Sequence, residues 1–229
     1  MTDHSINSFL KRTAQQEEKN GLFELENKYM LELNLNNQSV CIKKGAMIAC
    51  DGTVKFEREG MFSKGVGNLL KKAVSGEGAS LMEATGTGRV YVADCAKKVH
   101  ILRMEGESIN INGNDILAYE KGFKYDIKLM KSIGGVLGGG LFQVRLEGSG
   151  HIAVTTHGDP ITLRVMPGKS IFTDPNATVA WSGNLKPAFK ADISLKTFIG
   201  RGSGESFQMH FEGDGWVIVQ PYEEVYRAE

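Results

Sequence analysis

No stretch of this chain reaches the ~18 consecutive apolar residues that suggest a membrane-spanning helix. The N-terminal segment, residues 1–21, is polar and has no apolar core of a secretory signal. It carries Glu17 and Glu18, which a transit peptide avoids. The three cysteines, Cys41, Cys50 and Cys95, form no CxxC pair and are odd in number. That fits a reducing compartment with buried thiols and no disulfide framework. Charge of one sign is not in excess: 27 Lys plus Arg face 27 Asp plus Glu, which argues against a dedicated nucleic-acid binder. Aromatic residues are only 8% of the chain, and Phe56, Tyr125 and Trp181 fall on apparent core faces, so a stacking platform for single-stranded RNA is missing. Taken together, these absences predict a cytoplasmic protein.

Recognisable chemistry is also scarce. The sequence contains no HExxH, no GxSxG and no GxxxxGK[ST]. Its histidines, His4, His100, His151, His157 and His210, form no HxH pair of the kind a β-barrel metal site uses. No catalytic residue, cofactor or metal ligand is therefore assigned.

Proline is rare, with 5 residues, but glycine is abundant, with 28, which predicts many tight turns or bent strands. The glycines are ordered. A Gly-x-Gly followed by alternating apolar residues occurs at Gly86-Thr87-Gly88, Gly148-Ser149-Gly150 and Gly213-Asp214-Gly215, with first glycines 62 and then 65 residues apart. Upstream of each stands another glycine: Gly45, leading to Val54 and Phe56; Gly113, leading to Phe123 and Tyr125; and Gly168, leading to Val179 and Trp181. Before these glycines lie the alternating pairs Val40/Ile42, Ile109/Ile111 and Leu163/Val165, the middle one displaced by a residue. Alternation at period two marks strands with one buried face. All nine glycines are expected to mark structural turns or bends, where a side chain would obstruct close backbone approach or where φ is positive. Because strands and not helices follow them, Gly-x-Gly here is turn chemistry, not a nucleotide loop.

The reading is an all-β domain of three units over residues 22–222, at about 22–98, 99–158 and 159–222. A polar segment (1–21) precedes it and a tail (223–229) follows. A unit of this length buries little alone, so the three are expected to share one compact body. Each unit carries an apolar, Lys-sprinkled insert. Met61, Phe62, Leu69, Leu70, Ile133, Val136, Leu137, Phe189, Phe198 and Ile199 are the candidate interaction residues on these inserts. Leu69, Leu70 and Val74 also suit one side of a short amphipathic helix. The inserts either cap the β core or form an apolar patch for a protein partner, self-association or a membrane surface.

Lys44-Gly45-Ala46-Met47 through Asp51-Gly52, the three Gly-x-Gly strands and the Gly-rich inserts resemble the altered-inheritance-of-mitochondria 24 family. This is a family of bacterial proteins of unknown function with a fungal mitochondrial member. The resemblance covers about Leu22 to Tyr222. It implies three units similar to a subunit of the tryptophan-attenuation RNA-binding protein, a short variant of the double-stranded β-helix. It supplies no catalytic residues. Its fungal member is associated with inner-membrane organisation, which suggests scaffolding or assembly; the missing presequence favours the bacterial branch. The expected function is thus a non-catalytic scaffold. The alternatives are a small-ligand or enzymatic β-helix with a site in the barrel interior, and RNA binding by fold analogy.

Overall fold

A computed structural model describes residues 4–15, 21–58, 81–130, 141–191 and 207–223. Apart from one helix, α1 (Ile6–Arg12), the regular structure is β. The polar N-terminal segment carried no expectation of a helix. Ser5 starts it, its hydroxyl accepting from the Ser8 N–H, and no residue of α1 is buried. This is an N-cap followed by a short helix whose Ile6, Phe9 and Leu10 share one face, all three exposed.

The strands are β1 (Phe23–Asn27), β2 (Met30–Lys43), β3 (Met47–Cys50), β4 (Thr53–Arg58), β5 (Leu81–Val92), β6 (Lys98–Asn112), β7 (Ile116–Glu120), β8 (Lys124–Met130) and β9 (Leu141–Thr156). They continue with β10 (Ile161–Val165), β11 (Ile171–Thr173), β12 (Thr178–Ser182), β13 (Ala188–Ala191), β14 (Phe207–Phe211) and β15 (Gly215–Val219). The larger sheet runs β10-β15-β12-β6-β9-β7-β2-β5-β3, with β1 on β2, β4 on β5 and β8 on β9; a smaller one runs β11-β14-β13.

Pairing is antiparallel throughout. β5 takes β2, β3 and β4 as partners. β9 takes β6, β7 and β8. β15 takes β10 and β12, while β14 takes β11 and β13.

Bulges set which side chains point inward. In β2, Leu31, Leu33 and Leu35 are buried at odd positions, yet Val40 and Ile42 are buried at even ones. The register slips between Asn36 and Gln38, at Asn37 with φ +53°. One extra residue reverses the alternation, so both halves face the same core. β6 slips in the same way between Glu105 and Ser108, around Gly106. Further along, β10 and β11 are two separate strands, and the turn at Gly168 interrupts them. The registers therefore make Ile171 and Thr173, not Leu163 and Val165, the residues placed like Val40/Ile42 and Ile109/Ile111.

The glycines fall into two groups. Gly45, Gly113 and Gly168 do lie in turns, but Gly86, Gly88, Gly148 and Gly150 lie inside the continuous strands β5 and β9. Gly213 makes a bend, and Gly215 opens β15. At these points another segment crosses over the strand. A Cβ on Gly88 would meet the Asp51 carbonyl oxygen at 2.1 Å, and the Phe123 ring packs over Gly148 and Gly150. The glycines are markers of close approach more than of chain reversal.

Three clusters form the core. One joins Leu31, Leu33, Val40, Ile42, Ala84 and Val90 to Leu117 and Ala118 of β7. The next joins Ile109, Ile111, Val144, Leu146 and Ile152 to Val179 and Ala180 of β12. The third contains Val165, Trp181, Leu185, Met209, Phe211 and Val217. The edge-on contact of Trp181 and Phe211, with centroids 5.8 Å apart, fixes the third cluster's centre.

Candidate interaction surface

Two strand-to-strand joins bind successive parts of the chain together. β2 meets β7 with Val40 opposite Glu120, Cys41 opposite Tyr119 and Ile42 opposite Ala118. β6 meets β12 with Ile109 opposite Ser182, Asn110 opposite Trp181 and Ile111 opposite Ala180. The receiving strands share a further detail. A bulge falls between Ile116 and Ala118 in β7 and between Thr178 and Ala180 in β12, and the extra residue, Leu117 or Val179, is fully buried.

β3 is built the same way. Its bulge against β5 falls between Met47 and Ala49, which leaves Ile48 in the place of Leu117 and Val179. Yet all four residues of β3 are exposed, Ile48 to 53%. β11 shows the complementary situation. Ile171 lies opposite Phe211, as Val40 lies opposite Ala84 and Ile109 opposite Leu146. Phe172 is 48% exposed, whereas Cys41 and Asn110 are buried. Among the described residues, β3 pairs only with β5, and β11 only with β14.

The turn after each receiving strand is held by one side chain. Asp51 accepts the Arg89 N–H at 2.9 Å, Glu120 the His151 N–H at 3.1 Å, and the Ser182 hydroxyl oxygen the Trp216 N–H at 3.2 Å. Each donor directly follows a Gly-x-Gly. The backbone bond from Arg89 and its guanidinium hold the Asp51 carboxyl below the usual carboxylate range. No sequence pattern could have exposed this set, because an Asp, a Glu and a Ser share only an acceptor oxygen.

Other expected positions fall as follows. Cys41 is buried, but Cys50 and Cys95 are exposed, against the expectation of buried thiols: Cys50 sits on the uncovered β3 and Cys95 in a turn with φ +46°. His151 stays partly exposed beside Glu120 and over the Phe23 ring. His210 is buried under the Phe172 ring with Glu212 at 3.2 Å. Among the described residues no group of three metal-ligating side chains converges. No described helix is long and apolar enough to cross a membrane.

Of the candidate insert residues, only Phe189 lies within the described structure. It is half-buried against the third cluster. Met61, Phe62, Leu69, Leu70, Ile133, Val136, Leu137, Phe198 and Ile199, and the amphipathic stretch ending at Val74, lie outside the described residues.

A cleft of about 610 Å³ lies beside the β6–β12 join. Leu102, Met104, Ile109, Ile152, Trp216 and Ile218 line its apolar part, and Arg103, Glu107, Ser108 and Asn184 its polar part.

No curated protein matches the chain. A solved structure does: a Streptococcus pyogenes protein, SPYM3_0169, determined by X-ray crystallography, is 22% identical with a TM-score of 0.68, over 88% of this chain and 92% of that one. That likeness concerns the fold alone. The family model described as mitochondrial biogenesis AIM24 matches residues 23–222, nearly all of the β structure built above, and the chain belongs to that family.

Proposed function

We propose that this chain is a non-catalytic scaffold protein that works through protein contacts made at strand edges. The observation that carries the reading is the exposure of β3 and of Phe172 in β11, whose counterparts in β7, β12, β2 and β6 are buried. An uncovered strand with apolar side chains is a ready template for pairing with another chain. The reading includes three units, about 22–98, 99–158 and 159–222, of a short double-stranded β-helix type similar to the attenuation-protein subunit. Three equivalent bulges, three equivalent acceptors at Asp51, Glu120 and Ser182, and two joins in one register support it. Placement in the cytoplasm, with the inserts as a further surface for a protein or membrane, completes the proposal.

The experiment is a mass measurement by light scattering, with mass spectrometry, on protein from a native preparation. Wild type should carry protein at a stoichiometric ratio, either more of itself or another chain. Ile48→Lys should lose most of that extra mass and keep its melting behaviour. A single-chain mass for both proteins overturns the reading.

The cleft beside β6 supports a second reading, a small amphipathic ligand. Its volume and its mixed lining of apolar and polar side chains suit such a molecule. A stoichiometric small molecule in the native mass spectrum, lost on Trp216→Ala, would favour it. RNA binding by fold analogy has no comparable observation behind it.

A further inference from the structure

We infer that β11 of one copy of this chain pairs with β3 of a second copy, antiparallel and in the register already used twice inside the chain. This rests on the interaction reading above and names its partner.

The register follows from equivalence. Val40, Ile109 and Ile171 lie opposite Ala84, Leu146 and Phe211, each of which stands two residues before the first glycine of a Gly-x-Gly, Gly86, Gly148 or Gly213. Glu120, Ser182 and Asp51 each hold the N–H that follows a Gly-x-Gly. Val40 meets Glu120 and Ile109 meets Ser182. The next members of the two series are Ile171 and Asp51. Phe172 then falls opposite Cys50, and Thr173 opposite Ala49.

Packing points to the same partner. Leu117 of β7 completes the first core cluster, and Val179 of β12 completes the second. The third cluster has no such contribution among the described residues, while Ile48, which holds the equivalent position, stands exposed. Pairing with β3 of a second copy covers Ile48 and the exposed Phe172 together.

The two surfaces are different patches, so the contact is head-to-tail and extends to a closed ring or an open filament.

Cys50 provides the test. In a Cys95→Ser background, Phe172→Cys places a thiol directly opposite Cys50, at a cross-strand separation of about 4.5–5.5 Å between Cα atoms, within reach of a disulfide. Ile171→Cys, one residue away, points its thiol to the other face. Mild oxidation should give a ladder of covalent dimers and larger species with Phe172→Cys, at least tenfold more than with Ile171→Cys, and none after Cys50→Ser. In parallel, Ile48→Lys and Phe172→Lys should each remain small alone. Mixed, they should form a one-to-one dimer, since each retains the surface the other has lost.

Equal cross-linking in both registers, a bridge within one chain, or no dimer on mixing overturns the inference. If the wild type holds one copy of this chain together with a foreign chain that Ile48→Lys releases, self-pairing fails and the interaction reading survives. If neither variant changes what is bound, both fail.

Discussion

Gly86 lies beneath the backbone of Thr53: a Cβ added there would sit 2.0 Å from the Thr53 carbonyl oxygen. The obstacle is backbone, held by the β4–β5 ladder in which Thr53 faces Thr87 and Val54 faces Gly86. Gly86→Ala should therefore cost about 3 kcal/mol or more, from overpacking plus an unfavourable backbone conformation. Gly45→Ala meets nothing within 4 Å and changes only a residue with φ +80°. It should cost about 1 kcal/mol. Urea unfolding of the two variants checks the difference; equal losses would mean that the strand does not cross where described.

Lys97 and Asp115 form a buried pair, 2.9 Å apart, with side chains 4% and 0% exposed. Asp94 accepts from Lys43 at 2.8 Å and also lies 3.8 Å from Lys97. Lys97→Met takes the ammonium away from a buried carboxylate and should cost about 3 kcal/mol or more. Lys97→Met with Asp115→Asn should be less damaging than the sum of the two single changes, because the uncompensated charge is gone. A double-mutant cycle measures this coupling. Additive effects would place the contribution elsewhere.

His100 is half-buried, with Nε2 2.8 Å from the Thr156 hydroxyl. Burial pushes its pKa below the usual histidine value; Asp159 raises it and Lys98 lowers it. A depressed histidine takes up its proton first in the unfolded chain. Its contribution to stability is therefore complete above about pH 6.5 and is lost as pH falls from there towards the folded value. His100→Gln should show a shallower loss of stability between about pH 7 and pH 5.5 than wild type. Parallel curves would assign that acidic slope to other groups.

Phe189 tests whether an insert-flanking residue binds a partner or caps the core. It is half-buried against the cluster of Trp181, Met209 and Phe211. Phe189→Ser should lower stability by about 2 kcal/mol and leave the oligomer mass unchanged. Loss of mass without loss of stability would return Phe189 to the interaction surface.

Much of this fold is legible in the chain itself. Alternating runs such as Leu31-Glu32-Leu33 and Val40-Cys41-Ile42 specify strands because side chains alternate across a sheet. The family match spans the same run of strands, residues 23–222. What the sequence could not state is register. A bulge is one residue with no required identity, so Asn37, Gly106 and the turn at Gly168 do one task with different side chains, and Gly168 aligned by letter falls out of place. The acceptor oxygens of Asp51, Glu120 and Ser182 share a function and no residue type. Exposure is likewise decided only in three dimensions. Met47-Ile48-Ala49 reads as apolar as Ile116-Leu117-Ala118, and only the packed molecule shows that the second is covered by β2 while the first, among the described residues, faces outward. Local alternation is a property of neighbouring residues; which edge stays open depends on strands far apart in the chain.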